Sequence, residues 1–145
     1  MKLTDYLLER GYTKIKLHLT KTNHFEILAK INGKKGRFIL DTGASNSCIG
    51  FDAIDLFNLE IEESNIRAAG AGSSDMQTML SPNNKVKIGD WKKNKVALIL
   101  FNLTHVNKAL ETQNAKTVQG IIGADLLQQG DAVIDYGKKY LYLKL

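Results

Sequence analysis

The chain has a single cysteine and no long apolar segment. Cys48 has no partner for an intrachain disulfide, and the longest unbroken apolar run, Val96 to Phe101, is six residues long. A membrane-spanning helix needs roughly 20 apolar residues. Met1 to Leu19 is interrupted by several charged residues, so it lacks the apolar stretch of a signal peptide. We therefore expect no membrane partner and a reducing, cytoplasmic setting.

Metal-ligand and nucleic-acid motifs are also lacking. His18, His24 and His105 do not combine with Cys48 at the spacing of a metal site, so we expect neither a metal nor a cofactor. The formal net charge is +5, and the first 40 residues carry nine basic against three acidic side chains. No RNA-binding motif, zinc finger or basic helix accompanies this excess. We interpret the lysines as the solvent faces of strands and expect no nucleic-acid partner.

The spacing of apolar residues predicts a mainly β protein with short helices, folded as one domain over residues 1–145. Alternation with a period of two predicts strands at Phe25 to Ile31 and Arg37 to Leu40, joined by a turn at Asn32 to Gly36. Short helices are predicted at Thr4 to Arg10, Phe51 to Phe57, Thr104 to Thr112 and Ala124 to Gln129.

The most informative stretch is Phe38-Ile39-Leu40-Asp41-Thr42-Gly43-Ala44-Ser45. Three apolar residues end a strand, and a carboxylate follows where the chain must turn. Thr42 offers a hydroxyl, and Gly43 permits close backbone approach. A carboxylate held in this way, partly buried and near backbone N–H groups, suits general acid–base chemistry. An ordinary turn also explains the stretch, because Asp and Gly are favoured turn residues.

A second stretch, Gly120-Ile121-Ile122-Gly123-Ala124-Asp125-Leu126-Leu127, follows about 80 residues later. Alone it is a core strand that leads into a helix. Together, and in this order after a hairpin, the two stretches resemble the retropepsin-like aspartic proteases from about Phe25 to Leu145.

That resemblance implies a fold and a set of site residues. The fold is a closed β-barrel-type acid protease domain, and residues 1–24 are then an N-terminal extension. The implied catalytic residue is Asp41, and Asp125 supports the site at a helix start. The remaining implied site residues are Thr42, Gly43 and Ala44 as support of the catalytic loop, Ile121, Ile122 and Gly123 packed beside that loop in a ψ-shaped crossing, and Gly70, Ala71 and Gly72 at the tip of a flap.

Asp-Thr-Gly occurs once in the chain. Aspartic proteases use two carboxylates that share a proton, so the resemblance implies a homodimer with its active site on a two-fold axis and a peptide or protein substrate. The alternating segment Tyr140 to Leu145 is expected to contribute a strand to the interface. The alternative is a retropepsin-like module with weak or no proteolysis that serves in dimerisation or peptide binding.

Overall fold

The computed structural model describes residues 1–70 and 73–145, without the side chains of residues 64–77. The helices are α1 (Leu3–Glu9), a 3₁₀ turn (Phe51–Ala53), α2 (Ile54–Phe57), α3 (Thr104–Thr112) and α4 (Ala124–Gln129). The strands are β1 (Tyr12–Lys16), β2 (His18–Leu19), β3 (Phe25–Ile31), β4 (Lys34–Leu40), β5 (Cys48–Gly50), β6 (Glu62–Gly70), β7 (Ser73–Ile88), β8 (Trp91–Phe101), β9 (Gly120–Ile122), β10 (Val133–Asp135) and β11 (Tyr140–Lys144). The prediction of a mainly β protein with short helices is confirmed.

Six strands close into a barrel. They follow the order β3-β4-β9-β5-β8-β7, and a further pairing of β3 with β7 completes the ring. Strand β3 shows why the sequence folds this way, because Phe25, Ile27 and Ile31 alternate with solvent-facing residues and lie in the core at 8%, 0% and 0% exposure. The same core takes Phe38 and Phe57, whose rings stack with centroids 6.0 Å apart.

A smaller sheet, in the order β1-β11-β10, packs against the barrel. Strand β11 lies in its centre, because Leu141 pairs with Ile15 of β1 on one side and with Ile134 of β10 on the other. Leu141, Tyr142 and Leu143 are almost fully buried. The expectation that Tyr140 to Leu145 offers a strand to a partner is therefore wrong, since both edges of β11 are already paired within the chain.

Strands β6 and β7 form a long hairpin. Its strands pair in antiparallel fashion from Glu62 opposite Leu80 to Gly70 opposite Ser73, and β7 continues to Ile88 along β8. Among the described residues, none of the helices is both long and apolar enough to cross a membrane.

Candidate active site

Asp41 follows directly after β4, at the point where that strand leaves the barrel. Strand β4 runs parallel to β9, with Ile39 opposite Ile121 and Leu40 opposite Ile122. The backbone N–H of Asp41 donates to the carbonyl of Ile122 at 2.9 Å, one step beyond the ladder. The two sequence stretches singled out above therefore lie side by side, although about 80 residues separate them in the chain.

The turn after β4 holds the Asp41 carboxylate by a backbone donor. The N–H of Gly43 donates to Asp41 Oδ1 at 2.9 Å, and the N–H of Ala44 donates to the Asp41 carbonyl at 3.2 Å. The carboxylate was expected to be partly buried, yet Asp41, Thr42 and Gly43 are exposed. Among the described residues the Thr42 hydroxyl has no hydrogen-bond partner.

Gly123 brings the end of β9 into contact with the Asp41 turn. A Cβ atom at this position would lie 2.6 Å from the Ala44 carbonyl oxygen and 3.2 Å from the Ala44 Cβ atom. That same carbonyl accepts a hydrogen bond from the N–H of Ala124 at 2.7 Å. Glycine is needed here for close approach and not for its backbone angles, because its φ of −110° is open to any residue.

A hydrogen-bond network that the sequence did not reveal joins Asp125, Ser47 and Gly123 beside the Asp41 turn. Asp125 Oδ1 accepts from the N–H and the hydroxyl of Ser47, at 2.9 and 2.7 Å. The Ser47 oxygen in turn accepts from the N–H of Gly123 at 2.8 Å. Asp125 is therefore a structural carboxylate, as expected. Its partner was missed because the two residues are 78 positions apart and a serine in a loop carries no pairing signal.

A cleft of about 450 Å³ opens beside the Asp41 carboxylate. Its apolar wall includes Phe25, Leu40 and Tyr136, and Lys139 stands among its lining residues. The rings of Phe25 and Tyr136 touch, with centroids 4.9 Å apart, although Tyr136 remains 71% exposed. A cleft with both apolar and polar lining beside a carboxylate is a common form of binding site.

A family model described as aspartyl protease matches residues 27–126, which is more than half of the chain. This chain belongs to the aspartyl protease family. The matched segment contains both the Asp41 turn and the Gly123 contact. None of the curated protein sequences compared with it matches significantly.

Solved structures show the same fold. The EIAV protease, in complex with the inhibitor HBY-793, superposes with a TM-score of 0.58 at 16% identity over 77% of this chain and 92% of its own. A retropepsin-like aspartic protease from Rickettsia conorii gives 0.54 at 21% identity over 92% and 89%. The retroviral protease-like domain of Ddi1 from Leishmania major gives 0.54 at 15% over 83% and 87%. The retropepsin-like fold inferred from the sequence is confirmed.

The expected flap falls partly outside the described residues. Gly70 ends β6, opposite Ser73 at the start of β7. Ala71 and Gly72 lie outside the described residues, so the role of all three at a flap tip stays a prediction. In this aspartyl protease domain, the β6–β7 hairpin is the element that would carry such a tip.

Cys48 is buried in a small cluster with Ile99, Phe101 and Leu103. Burial raises the pKa of its thiol to about 12, and the charges of Asp125 and Asp41 act in the same direction. A thiol that stays protonated is a poor nucleophile, so Cys48 has a packing role. In the part of the chain that the structure describes, no three His, Cys, Asp or Glu side chains are placed to hold a metal ion.

Proposed function

We propose that this protein is an aspartic endopeptidase that is active as a homodimer, with one Asp41 from each subunit. The single observation that carries the proposal is the Asp41 turn. Its carboxylate is fixed by the Gly43 N–H, exposed, and open to a cleft in a chain of the aspartyl protease family.

A second chain is needed because, among the carboxylates that the structure describes, one chain supplies only one suitable group. Among the described residues that line the cleft, Asp41 is the single acid. Asp125 is held by Ser47, and Asp135 accepts a hydrogen bond from the N–H of Lys138. The chemistry requires two carboxylates within a few ångströms, so the second must come from a symmetry-related Asp41.

The proposed reaction follows from two carboxylates that share one proton. Two like charges at such short distance cannot both be ionised at low cost, so one carboxyl group stays protonated. The ionised group takes a proton from a water molecule, and that water attacks the peptide carbonyl. The protonated group donates its proton to the carbonyl oxygen, so each Asp41 has a distinct part in the same step.

The proposed two-fold axis lies beside Thr42 and strand β10. Thr42 is exposed, and a shallow apolar depression next to it is lined by Leu127, Ala132 and Ile134. Strand β10 pairs with β11 on one side, and among the described residues nothing pairs with its other side. A partner seated on this face would bring the two Asp41 turns together and cover apolar surface.

The proposed substrate is an extended peptide whose side chain next to the scissile bond enters the cleft. The walls formed by Phe25, Leu40 and Tyr136 suit a large apolar residue. We further propose that residues 1–24 form an extension to the core of the fold and that the protein acts in the cytoplasm without metal or cofactor.

Subunit mixing tests the proposal directly. If each active site needs two Asp41 residues, an equal amount of Asp41→Asn chain, allowed to exchange, should reduce the activity per wild-type chain to about half, because random pairing splits the wild-type chains between active and inactive dimers. The matched control is Asp90→Asn, which removes one carboxylate from the exposed turn between β7 and β8; mixed in the same ratio it should leave the activity per total chain unchanged. Undiminished activity after complete exchange would rule out a shared site.

A dimer that cleaves no peptide in a diverse library between pH 3 and pH 8 would instead support the non-proteolytic module. Sedimentation across a concentration series separates that outcome from a simple failure to dimerise. A dimer without cleavage would leave the proposed assembly intact and refute the proposed reaction.

A further inference from the structure

Four lysines form a row across four neighbouring strands of the barrel. Lys35 of β4 lies directly opposite Lys30 of β3, and Lys30 lies opposite Lys87 of β7. Lys87 in turn lies opposite Lys92 of β8. Residues in direct register point to the same face of a sheet, about 4.8 Å from strand to strand. The lysine row is therefore roughly 14 Å long.

The row is on the outer surface of the barrel. Its inner neighbours Ile31, Val86 and Ile88 are buried at 0%, 1% and 1%, while Lys30, Lys35 and Lys92 are exposed and Lys87 is half-buried. Among the described residues, these strands carry one ion pair, between Arg37 and Glu26. In the same part of the chain, no carboxylate lies within ion-pair distance of a lysine of the row.

Such an arrangement opposes folding. Like charges directly opposite one another destabilise a sheet, and the two middle members, Lys30 and Lys87, each have a lysine on both sides. Lysine on a strand is often explained as protection of an open edge. That explanation fails for Lys30 and Lys87, because their strands are paired on both sides at these positions.

We propose that the lysine row is an exosite that binds an acidic segment of the polypeptide substrate. The inference rests on the proposed peptidase function for the nature of the ligand. Four unpaired ammonium groups in a line match an extended chain with several carboxylates. Single-stranded nucleic acid fits less well, because the aromatic residues of these strands, such as Phe38 and Trp91, are buried and leave no stacking surface.

The position of the lysine row sets the distance between the acidic tract of a bound substrate and its scissile bond at Asp41. Strand β4 carries Lys35 near its start and leads into Asp41, six residues later. At about 3.3 Å per residue the row is therefore roughly 20 Å from the catalytic carboxylate along the strand. A substrate would need its acidic tract at least about six residues from the scissile bond to reach both.

The first test measures binding without requiring cleavage. The probes are two fluorescent octapeptides, one of glutamate and one of glutamine, titrated by anisotropy into the full chain carrying Asp41→Asn. The glutamate probe should bind more tightly, and the double variant Lys30→Gln/Lys87→Gln should weaken it about three- to tenfold. The matched control Lys108→Gln/Lys116→Gln removes two exposed lysines elsewhere and should leave the affinity unchanged.

The second test uses cleavage. A substrate with a glutamate tract more than six residues from the scissile bond should show a lower KM than its glutamine twin, and this advantage should vanish in Lys30→Gln/Lys87→Gln while kcat is unchanged. If the glutamate probe binds but no substrate is cleaved, the proposed peptidase function is refuted and the proposed acidic-peptide site is retained. The exosite would be overturned if both peptide probes bound equally or if both double variants had equal effects. It would also be overturned if a fluorescent single-stranded RNA, titrated in the same way, bound more tightly than the glutamate probe.

Discussion

Replacement of Gly123 by alanine is expected to damage both the fold and the active site. The added Cβ would lie 2.6 Å from the Ala44 carbonyl oxygen, a separation that real Cβ atoms do not tolerate. The obstructing atom belongs to the backbone, and it also accepts the hydrogen bond from Ala124. It cannot move aside as a flexible side chain would, so the Asp41 turn must shift.

The size of the effect follows from overpacking of a well-packed region. Forcing one extra carbon into such a site costs about 1–3 kcal/mol, which lowers the melting temperature of a chain of this length by roughly 3–10 °C. Ala44 is three residues from Asp41, and a carboxylate displaced by about 1 Å can lose about a hundredfold in rate. Activity should therefore fall much further than stability alone explains.

Thermal unfolding and kcat/KM at a temperature well below the transition measure the two effects separately. Gly137→Ala is the matched control, because the nearest atom to its added Cβ is 3.6 Å away, and it should change neither quantity appreciably. A Gly123→Ala variant with wild-type melting temperature and activity would refute the argument that this contact positions the turn.

Three further results are expected. Ser47→Ala should cost about 1–3 kcal/mol, since the buried N–H of Gly123 loses its acceptor and Asp125 a donor; urea unfolding with an unchanged midpoint would contradict this. Burial raises the pKa of the Cys48 thiol from 9.0 to about 12. The buried, protonated thiol therefore makes its full contribution to the free energy of unfolding below pH 9, and this contribution is lost as the pH rises toward 12. Accordingly the folded chain should react with iodoacetamide at pH 8 far more slowly than the urea-unfolded chain, and equal rates would show that the thiol is accessible. Lys30→Glu should raise the free energy of unfolding by about 0.5–1.5 kcal/mol at low salt, because two like-charge contacts become attractive; the gain should shrink in 1 M salt, and a gain independent of salt would exclude this electrostatic origin.

Much of the local structure could be predicted because short-range patterns determine it. Helices α3 and α4 begin and end where the sequence indicated, at Thr104–Thr112 and Ala124–Gln129. The hairpin that leads into Asp41 was recognised from strict alternation and a turn at Asn32, which adopts a positive φ of 52°. The first helix was predicted at Thr4 to Arg10 but spans Leu3–Glu9. The Thr4 hydroxyl does not cap it and instead contacts the hydroxyl of Tyr142, 138 positions away.

The burial of the terminal strand shows where prediction from sequence stopped. The alternation of Tyr140 to Leu145 correctly indicated a strand, but alternation does not reveal which strands lie beside it. The pairing with β1 depends on contacts between the two ends of the chain, such as Thr13 opposite Leu143. Pairing of this kind is decided by total burial across the fold and not by any local segment.

The sequence by itself indicated the family and the candidate carboxylate, and it motivated the proposal of a second chain. Asp41-Thr42-Gly43 and Ile121-Ile122-Gly123 are local signals, and their single occurrence is a matter of counting. The tertiary structure alone decided that Asp125 is held by Ser47 and that β11 is closed to a partner. It also decided that lysines from four separate strands stand in one row. Strand pairing in a barrel brings together residues that lie far apart in the chain. Which strands pair is decided by the apolar surface that the whole fold buries, and not by their order in the sequence.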